Sequence, residues 1–375
     1  MSLSDFPNLE RLEGLTELPC LKELKLLGMP ALESISGGPF PSLMKLRMER
    51  LPCLGEVWML TERTSGYVKD VGSSSSNTAP MGQLQIGNRL SNLWIKECPH
   101  LKVKPYLPSS LEYLGLHWSN EQQLLPLPGH SQAEEVSVFS FSRLKKIQLD
   151  GVTTSSSPGL NSGHGWELLQ HYTALESLQI HKWDGLTELP ESMRCLTTLK
   201  SVHIEGCSAL CKLPEWLMDL QSLQKMTIEM CDILSGLPTS TQHLTALQTL
   251  SISDCRALLQ LPEGLGELCS LQVLELRGLP SLSSLPESLV LLTSLQELEI
   301  KRCSALDQLP ERLGELHSLC RFEISSLLGL SGLPQSMWRL TSLEELWIRD
   351  CTGLTSIPKC IQAVSYTHLT LPTIA

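Results

Sequence analysis

Apolar residues recur along this chain at a fixed interval, neither in the strict alternation of one strand nor in the stripe of one long helix. From residue 175 the interval is 24 residues and does not slip. Leucine stands at Leu175, Leu199, Leu223, Leu247, Leu271, Leu295, Leu319 and Leu343, and proline at Pro190, Pro214, Pro238, Pro262, Pro286, Pro310, Pro334 and Pro358. In one unit Leu199, Val202 and Ile204 come first, then Cys207, Leu210 and Leu213, then Pro214, Leu217 and Leu220. The alternation through Val202, His203 and Ile204 predicts a short strand, with Val202 and Ile204 turned inward and His203 outward. Pro214 suits the first position of a short helix, where its missing N–H is no loss. A glutamate follows at Glu191, Glu215, Glu263, Glu287 and Glu311, favoured in a first helical turn by the helix dipole.

No such unit buries its apolar face alone, so neighbours must stack on it to complete a core. The period and leucine spacing are those of a leucine-rich repeat. The expected fold is an α/β solenoid, a curved horseshoe with a parallel sheet on the concave face and short helices or 3-10 turns on the convex face. Solenoids of this kind present long open surfaces that hold partners.

Before residue 175 the same template persists with uneven spacing. Strand signatures fall at Leu21, Leu24 and Leu26; at Leu43, Leu46 and Met48; at Leu90, Leu93, Ile95 and Cys98; at Leu111, Leu114 and Leu116; and at Leu144, Ile147 and Leu149. Leu9 and Leu12 belong to a clipped unit. The organisation expected is therefore irregular repeats over 1–172, with insertions at 58–89, 117–143 and 153–172, then eight regular repeats over 173–364. The insertions carry Gly, Ser and Pro clusters such as Ser73 to Ser76, which cannot bury a core. In the tail, 365–375, Thr367 stands where leucine is due, and the stretch from Ser365 to Ala375 resembles a translated cloning or sequencing adapter.

The ninth position of the unit holds Cys207, Cys231, Cys255, Cys303 and Cys351, with Trp183, Leu279 and Leu327 in the other coils. A free cysteine packs as a small apolar side chain. Equivalent Cβ vectors in a stack run parallel, so they do not converge as a disulfide requires. Cys207 and Cys211 lack the second pair of ligands that a zinc site needs. The formal net charge of −11 and pI near 5.4 argue against a general nucleic-acid binder. Thirteen cysteines placed mostly in the core are not a secreted disulfide framework. There is no N-x-Ser/Thr sequon, no signal-peptide pattern in residues 1–10, and no apolar run long enough to span a membrane. Cytosol or nucleus is the expected compartment.

The chain has no G-x-x-x-x-G-K-Ser/Thr phosphate loop, no G-x-G-x-x-G after a strand, and neither H-E-x-x-H nor G-x-S-x-G. Gly264 and Gly266 fall in a convex turn, and the histidines are scattered. No catalytic, cofactor-binding or metal-binding residue is expected, and the chain reads as a non-enzyme. Chemistry is expected instead on the outward strand positions, which form columns. The middle column is Gln179, His203, Thr227, Ser251, Glu275, Glu299, Glu323 and Trp347; the next is His181, Glu205, Glu229, Ser253, Arg277, Lys301, Ser325 and Arg349. The candidate partner surface comprises Glu275, Glu299, Glu323, Arg321, an exposed Trp347 and Arg349, since Trp and Arg are common hot-spot residues. The competing expectation is a solvated face whose charges satisfy one another.

The repeat, with its Leu–Pro pair and cysteine ladder, resembles the leucine-rich-repeat region of plant NB-ARC disease-resistance proteins. The likeness is carried by Leu175 to Pro190 (LESLQIHKWDGLTELP), Leu247 to Pro262 (LQTLSISDCRALLQLP) and Leu295 to Pro310 (LQELEIKRCSALDQLP). FPSLMKLRMERLPCLGEVW (40–58) and LSNLWIKECPHLKVKPYLPSSLEYL (90–114) are similar to coiled-coil-class members from grasses. The resemblance implies an intracellular immune receptor region that recognises pathogen effectors or guarded host proteins and restrains a nucleotide-switching NB-ARC module. It carries no NB-ARC residues onto this chain, so recognition and restraint are all that it implies here. The alternative is an intracellular scaffold of the Ras-signalling leucine-rich-repeat type; the 24-residue period and cysteine ladder count against it.

Overall fold

The computed structural model describes residues 1–15, 18–59, 84–104, 107–117, 143–151, 169 and 172–355. The expected tail and nearly all of the expected insertions lie outside the described residues. The chain forms two compact units, one of residues 1–152 with 163–176 and the other of 153–162 with 177–375.

In the first unit, strands are β1 (Ser2–Ser4), β2 (Arg11–Leu12), β3 (Glu23–Leu27), β4 (Ser34–Ile35), β5 (Gly37–Phe40), β6 (Lys45–Glu49), β7 (Glu56–Met59), β8 (Leu84–Ile86), β9 (Asn92–Lys96), β10 (Lys102–Lys104), β11 (Tyr113–His117) and β12 (Lys146–Asp150). The main sheet runs β1-β3-β6-β9-β11-β12, with parallel pairing throughout. Leu24, Leu46, Leu93, Leu114 and Ile147 share one buried row, fixed by that register. The return legs depart from expectation. They are extended rather than helical, and pair as a second parallel sheet, β10-β7-β8-β5, and a two-stranded one, β2-β4. These legs lack the Leu–Pro–Glu helix start and carry strand formers such as Val57 and Ile86.

The second unit is regular. Strands β13 (Ser177–His181), β14 (Ser201–Glu205), β15 (Lys225–Glu229), β16 (Thr249–Ser253), β17 (Val273–Arg277), β18 (Glu297–Lys301), β19 (Arg321–Ser325) and β20 (Glu345–Arg349) each have five residues and pair in parallel with the next. Their return legs are 3-10 helices, such as Glu191–Cys195, Glu215–Asp219 and Glu263–Glu267. Except before Leu313–Glu315, the proline stands one residue before the helix rather than in it, with extended dihedrals at Pro190 (φ −69°, ψ 138°). A 3-10 turn closes on the carbonyl three residues back, and proline supplies that carbonyl: Met193 N–H donates to Pro190 O at 3.1 Å and Leu217 N–H to Pro214 O at 3.1 Å. The glutamate after it serves the next coil. Glu215 accepts from the N–H groups of Thr239 and Ser240 at 3.3 and 3.2 Å, and Glu263 from Ser288 N–H at 3.1 Å.

The residue after each regular strand is left-handed. Lys182, Met230, Asp254, Arg302, Ser326 and Asp350 have φ of 52–54°, and Gly206 and Gly278 take the same place. Among the described residues, all of these but Asp350 extend the ladder by one bond, as where Met230 N–H donates to Ser253 O at 2.9 Å. The chain then turns and the ninth side chain points inward. Cys207, Cys231, Cys255, Cys303 and Cys351 are all buried. Their thiols reach the carbonyl two residues back, at 3.5 Å for Cys231 and 3.3 Å for Cys351. Burial pushes the Cys303 thiol up to about 11, so it stays protonated and inert. Each leucine in the spine contributes about 1.5–3 kcal/mol by leaving water.

Candidate partner-binding surface

Strand alternation and in-register pairing place the expected columns as continuous rows. Gln179, His203, Thr227, Ser251, Glu275, Glu299, Glu323 and Trp347 lie opposite one another from β13 to β20. The neighbouring row from His181 to Arg349 is equally regular, and so is the row ending Glu297, Arg321, Glu345.

Three stacked carboxylates at Glu275, Glu299 and Glu323 would repel, and cations from the next row lie between them. Arg277 bonds Glu275 at 3.2 Å and forks onto Glu299, with Nη2 at 2.9 Å from Oε2. Lys301 lies 3.0 Å from Glu299 and 2.9 Å from Glu323. Burial works to raise the Glu299 carboxyl, but the hydrogen bonds from Arg277 and Lys301 outweigh it and hold it below its ordinary value. Arg321 bridges Glu345 at 2.9 Å and Glu297 at 4.0 Å. The charges from Glu275 to Glu345 are therefore interlocked rather than loose.

Trp347 differs from expectation in being half-buried. Arg349 lies over its ring at 4.2 Å, and its indole N–H donates to Glu345 at 3.3 Å. At the other end of the unit, His181 bonds Glu205 at 2.8 Å and meets the His203 ring edge-on at 5.0 Å. Burial, then the neighbouring His181, lowers the His203 pKa. Between the two charged ends lie Thr227 and Ser251, small and buried.

The first unit carries outward aromatic and cationic residues that are not among the expected partner-surface residues. On its main sheet the outward positions include Arg47, Trp94, Tyr113 and Lys146. Trp94 and Tyr113 stack with centroids 6.2 Å apart and planes 5° from parallel. The same alternation that placed Trp347 outward places these two, on the successive strand signatures at Leu93 and Ile95 and at Leu114 and Leu116. Among the described residues no group of three His, Cys, Asp or Glu side chains is placed to hold a metal ion, and no helix is long and apolar enough to cross a membrane.

Short parallel strands at a fixed repeat, each closed by a return leg over a leucine spine, define a leucine-rich-repeat protein, a class built as protein-interaction scaffolds. The family described as "Leucine-rich repeat region" matches residues 196–374, and that described as "R13L1/DRL21 LRRs" matches 128–231. The disease resistance protein RPS4B of Arabidopsis thaliana is 27% identical over 203 residues, which is 54% of this chain and 16% of that relative. The chain thus corresponds to less than a fifth of that protein's length. Its repeats are similar to the R13L1/DRL21 repeats over 128–231 and to those of a plant disease-resistance protein. Among solved structures, the leucine-rich-repeat domain of the type III effector XopL is 25% identical, with TM-score 0.44 over 56% of this chain and 82% of that one. The functional domain of InlJ from Listeria monocytogenes, which includes a cysteine ladder, is 13% identical, with TM-score 0.46 over 88% and 63%.

Proposed function

We propose that this chain is the recognition region of an intracellular plant innate immune receptor. In this reading it senses a pathogen effector, or a host protein that an effector attacks, and restrains a nucleotide-binding module of the kind full-length relatives carry. It acts by binding rather than by catalysis, in the cytosol or nucleus. The observation that carries the reading is the pair of family matches over 128–374, together with a strand wall whose charged rows offer Glu275, Glu299, Glu323, Arg321, Trp347 and Arg349 side by side.

The test places a photo-cross-linking side chain at position 299, on the strand wall, or at position 338, on the 3-10 side, in leaf cells challenged with a pathogen. The reading expects a protein adduct from position 299 and none from 338. It expects the adduct to vanish when Glu275 and Glu323 are both changed to lysine in a chain that still melts cooperatively. Adducts of equal yield from both positions, or an adduct indifferent to the charge reversals, would contradict it.

A further inference from the structure

The first unit's main sheet presents a wall of different chemistry from the second's. Trp94 on β9 lies flat over Gly115 on β11; a Cβ at Gly115 would overlap the indole ring. The absent side chain lets the ring settle against the sheet, with Tyr113 beside it as an aromatic floor across two strands. Glu49 fixes the ring edge, accepting from Trp94 N–H at 2.9 Å and from Arg47 at 2.7 Å. Tyr113 is held in turn by its hydroxyl, which donates to Gln148 at 3.0 Å.

Cations border this floor on both sides. The Arg47 guanidinium lies 5.6 Å from the Trp94 ring and Lys146 Nζ 5.6 Å from the Tyr113 ring. On the outward positions of β3, β6, β9, β11 and β12 there are five cations (Lys25, Lys45, Arg47, Lys96, Lys146) against three carboxylates (Glu23, Glu49, Asp150). The chain as a whole is at −11. No carboxylate among the described residues lies within ion-pair distance of Lys45 or Lys146. The wall is thus locally cationic on an anionic protein, with two of its ammonium groups unmatched among the described residues.

We infer that this wall is a second recognition site, whose ligand is an acidic protein segment that lays an aromatic or aliphatic side chain on the Trp94–Tyr113 floor and carboxylates against Arg47 and Lys146. Stacking on a rigid aromatic pair and charge-assisted bonds to a guanidinium supply both apolar and polar contact. A nucleic acid would meet the same floor and cations. Its continuous phosphate charge, however, would also run past Glu49 and Asp150 on a chain of net charge −11, where separate carboxylates can be placed to avoid them. The inference rests on the reading of the chain as a recognition region, and places one site of that recognition outside the regular repeats.

The test measures polarisation of a short fluorescein-labelled peptide of alternating glutamate and tyrosine on the full chain. The comparisons are the lysine–tyrosine counterpart and a single-stranded oligonucleotide. The wild-type chain should bind the glutamate–tyrosine peptide best, and more weakly as salt rises. Trp94→Ala and Arg47→Ala should each weaken it by about tenfold or more. Gly115→Ala, which changes no charge but displaces the indole, should weaken it as well, and Trp338→Ala on the opposite side of the other unit should not. Arg47→Ala leaves the apolar spine untouched, so the test survives even where Trp94→Ala fails to fold. No binding of the acidic peptide by the wild-type chain, equal binding of the lysine peptide, preference for the oligonucleotide, or indifference to Arg47→Ala and Gly115→Ala would each overturn the site. An adduct at position 299 alongside any of those results would leave the immune-recognition reading standing and remove this site alone.

Discussion

The two units solve the same stacking problem and end with different walls. In the regular unit every coil has the same length, so like side chains fall opposite like, and three glutamates line up at Glu275, Glu299 and Glu323. The wall is then stabilised by interleaved cations that are occupied in doing so. In the irregular unit neighbouring strands come from coils of unequal length, as where Lys45 pairs with Asn92. No outward residue type stands opposite its like on the next strand, and an aromatic pair results beside Lys146, which has no carboxylate within ion-pair distance among the described residues. The repeated glutamate row is satisfied by its own cations, whereas the irregular unit sets an aromatic pair among residues of mixed type. The return legs differ too: 3-10 turns after a Leu–Pro pair in one unit, and extended strands carrying residues such as Val57 in the other.

The largest expected effect asks whether both units have equally tight spines. Phe322 is fully buried between Leu298 and Leu346, and Phe322→Ala should cost about 3–5 kcal/mol in denaturant melts. Leu46→Ala, between Leu24 and Leu93 in the irregular unit, should cost about 2–5 kcal/mol. A loss under about 1 kcal/mol at either position would mean that its spine is loosely stacked. Next comes the contrast in charge. Lys301→Met leaves Glu299 and Glu323 facing each other and should cost about 1 kcal/mol, less in high salt. Lys45→Met, with no carboxylate to release, should stay within about 0.5 kcal/mol of wild type. Equal costs would erase the distinction between the two walls.

A similar effect of opposite sign is expected at the turn after β15. Met230 is left-handed at φ 52° where Gly206 and Gly278 serve in other coils, so Met230→Gly should raise stability by about 1 kcal/mol. A lower melting temperature would contradict that. The smallest effect is a pH dependence. Hydrogen bonds from Ser240, together with the backbone of Ser240 and Thr239, outweigh burial and hold the exposed Glu215 carboxyl below its ordinary value. A carboxylate depressed in the folded state adds stability above its unfolded pKa, about 4.3, and loses it as pH falls through the lower folded value. Glu215→Gln should flatten that acid limb by about 0.5 kcal/mol or less, read from melts across the acid range. An unchanged limb would show that the contact to the next coil contributes nothing.

Much of this was legible in the chain because period and alternation together fix neighbours. The row from Gln179 to Trp347 follows from counting 24 residues and choosing the outward side. What counting does not supply is how long side chains settle. Lys301 bridges two acids on different strands, Arg349 turns back over Trp347, and Glu215 crosses to the next coil. The left-handed turn was hidden because Lys182, Met230 and Asp254 carry no glycine signal. The Trp94–Tyr113 pair was within reach, since successive strand signatures turn both residues outward; what counting does not supply is that Gly115 lets the indole lie flat beside Tyr113.

Everything proposed for either wall depends on coils stacking in register. Residue-resolved amide hydrogen exchange of the intact chain tests that most directly. Slow exchange should recur every 24 residues from Ser177 to Arg349, and should include the left-handed residues, such as Met230 and Asp254, whose N–H groups bond to the next strand. Protection without that interval, or fast exchange at Met230 and Asp254 beside slow strands, would contradict the stacked arrangement from which both walls are built.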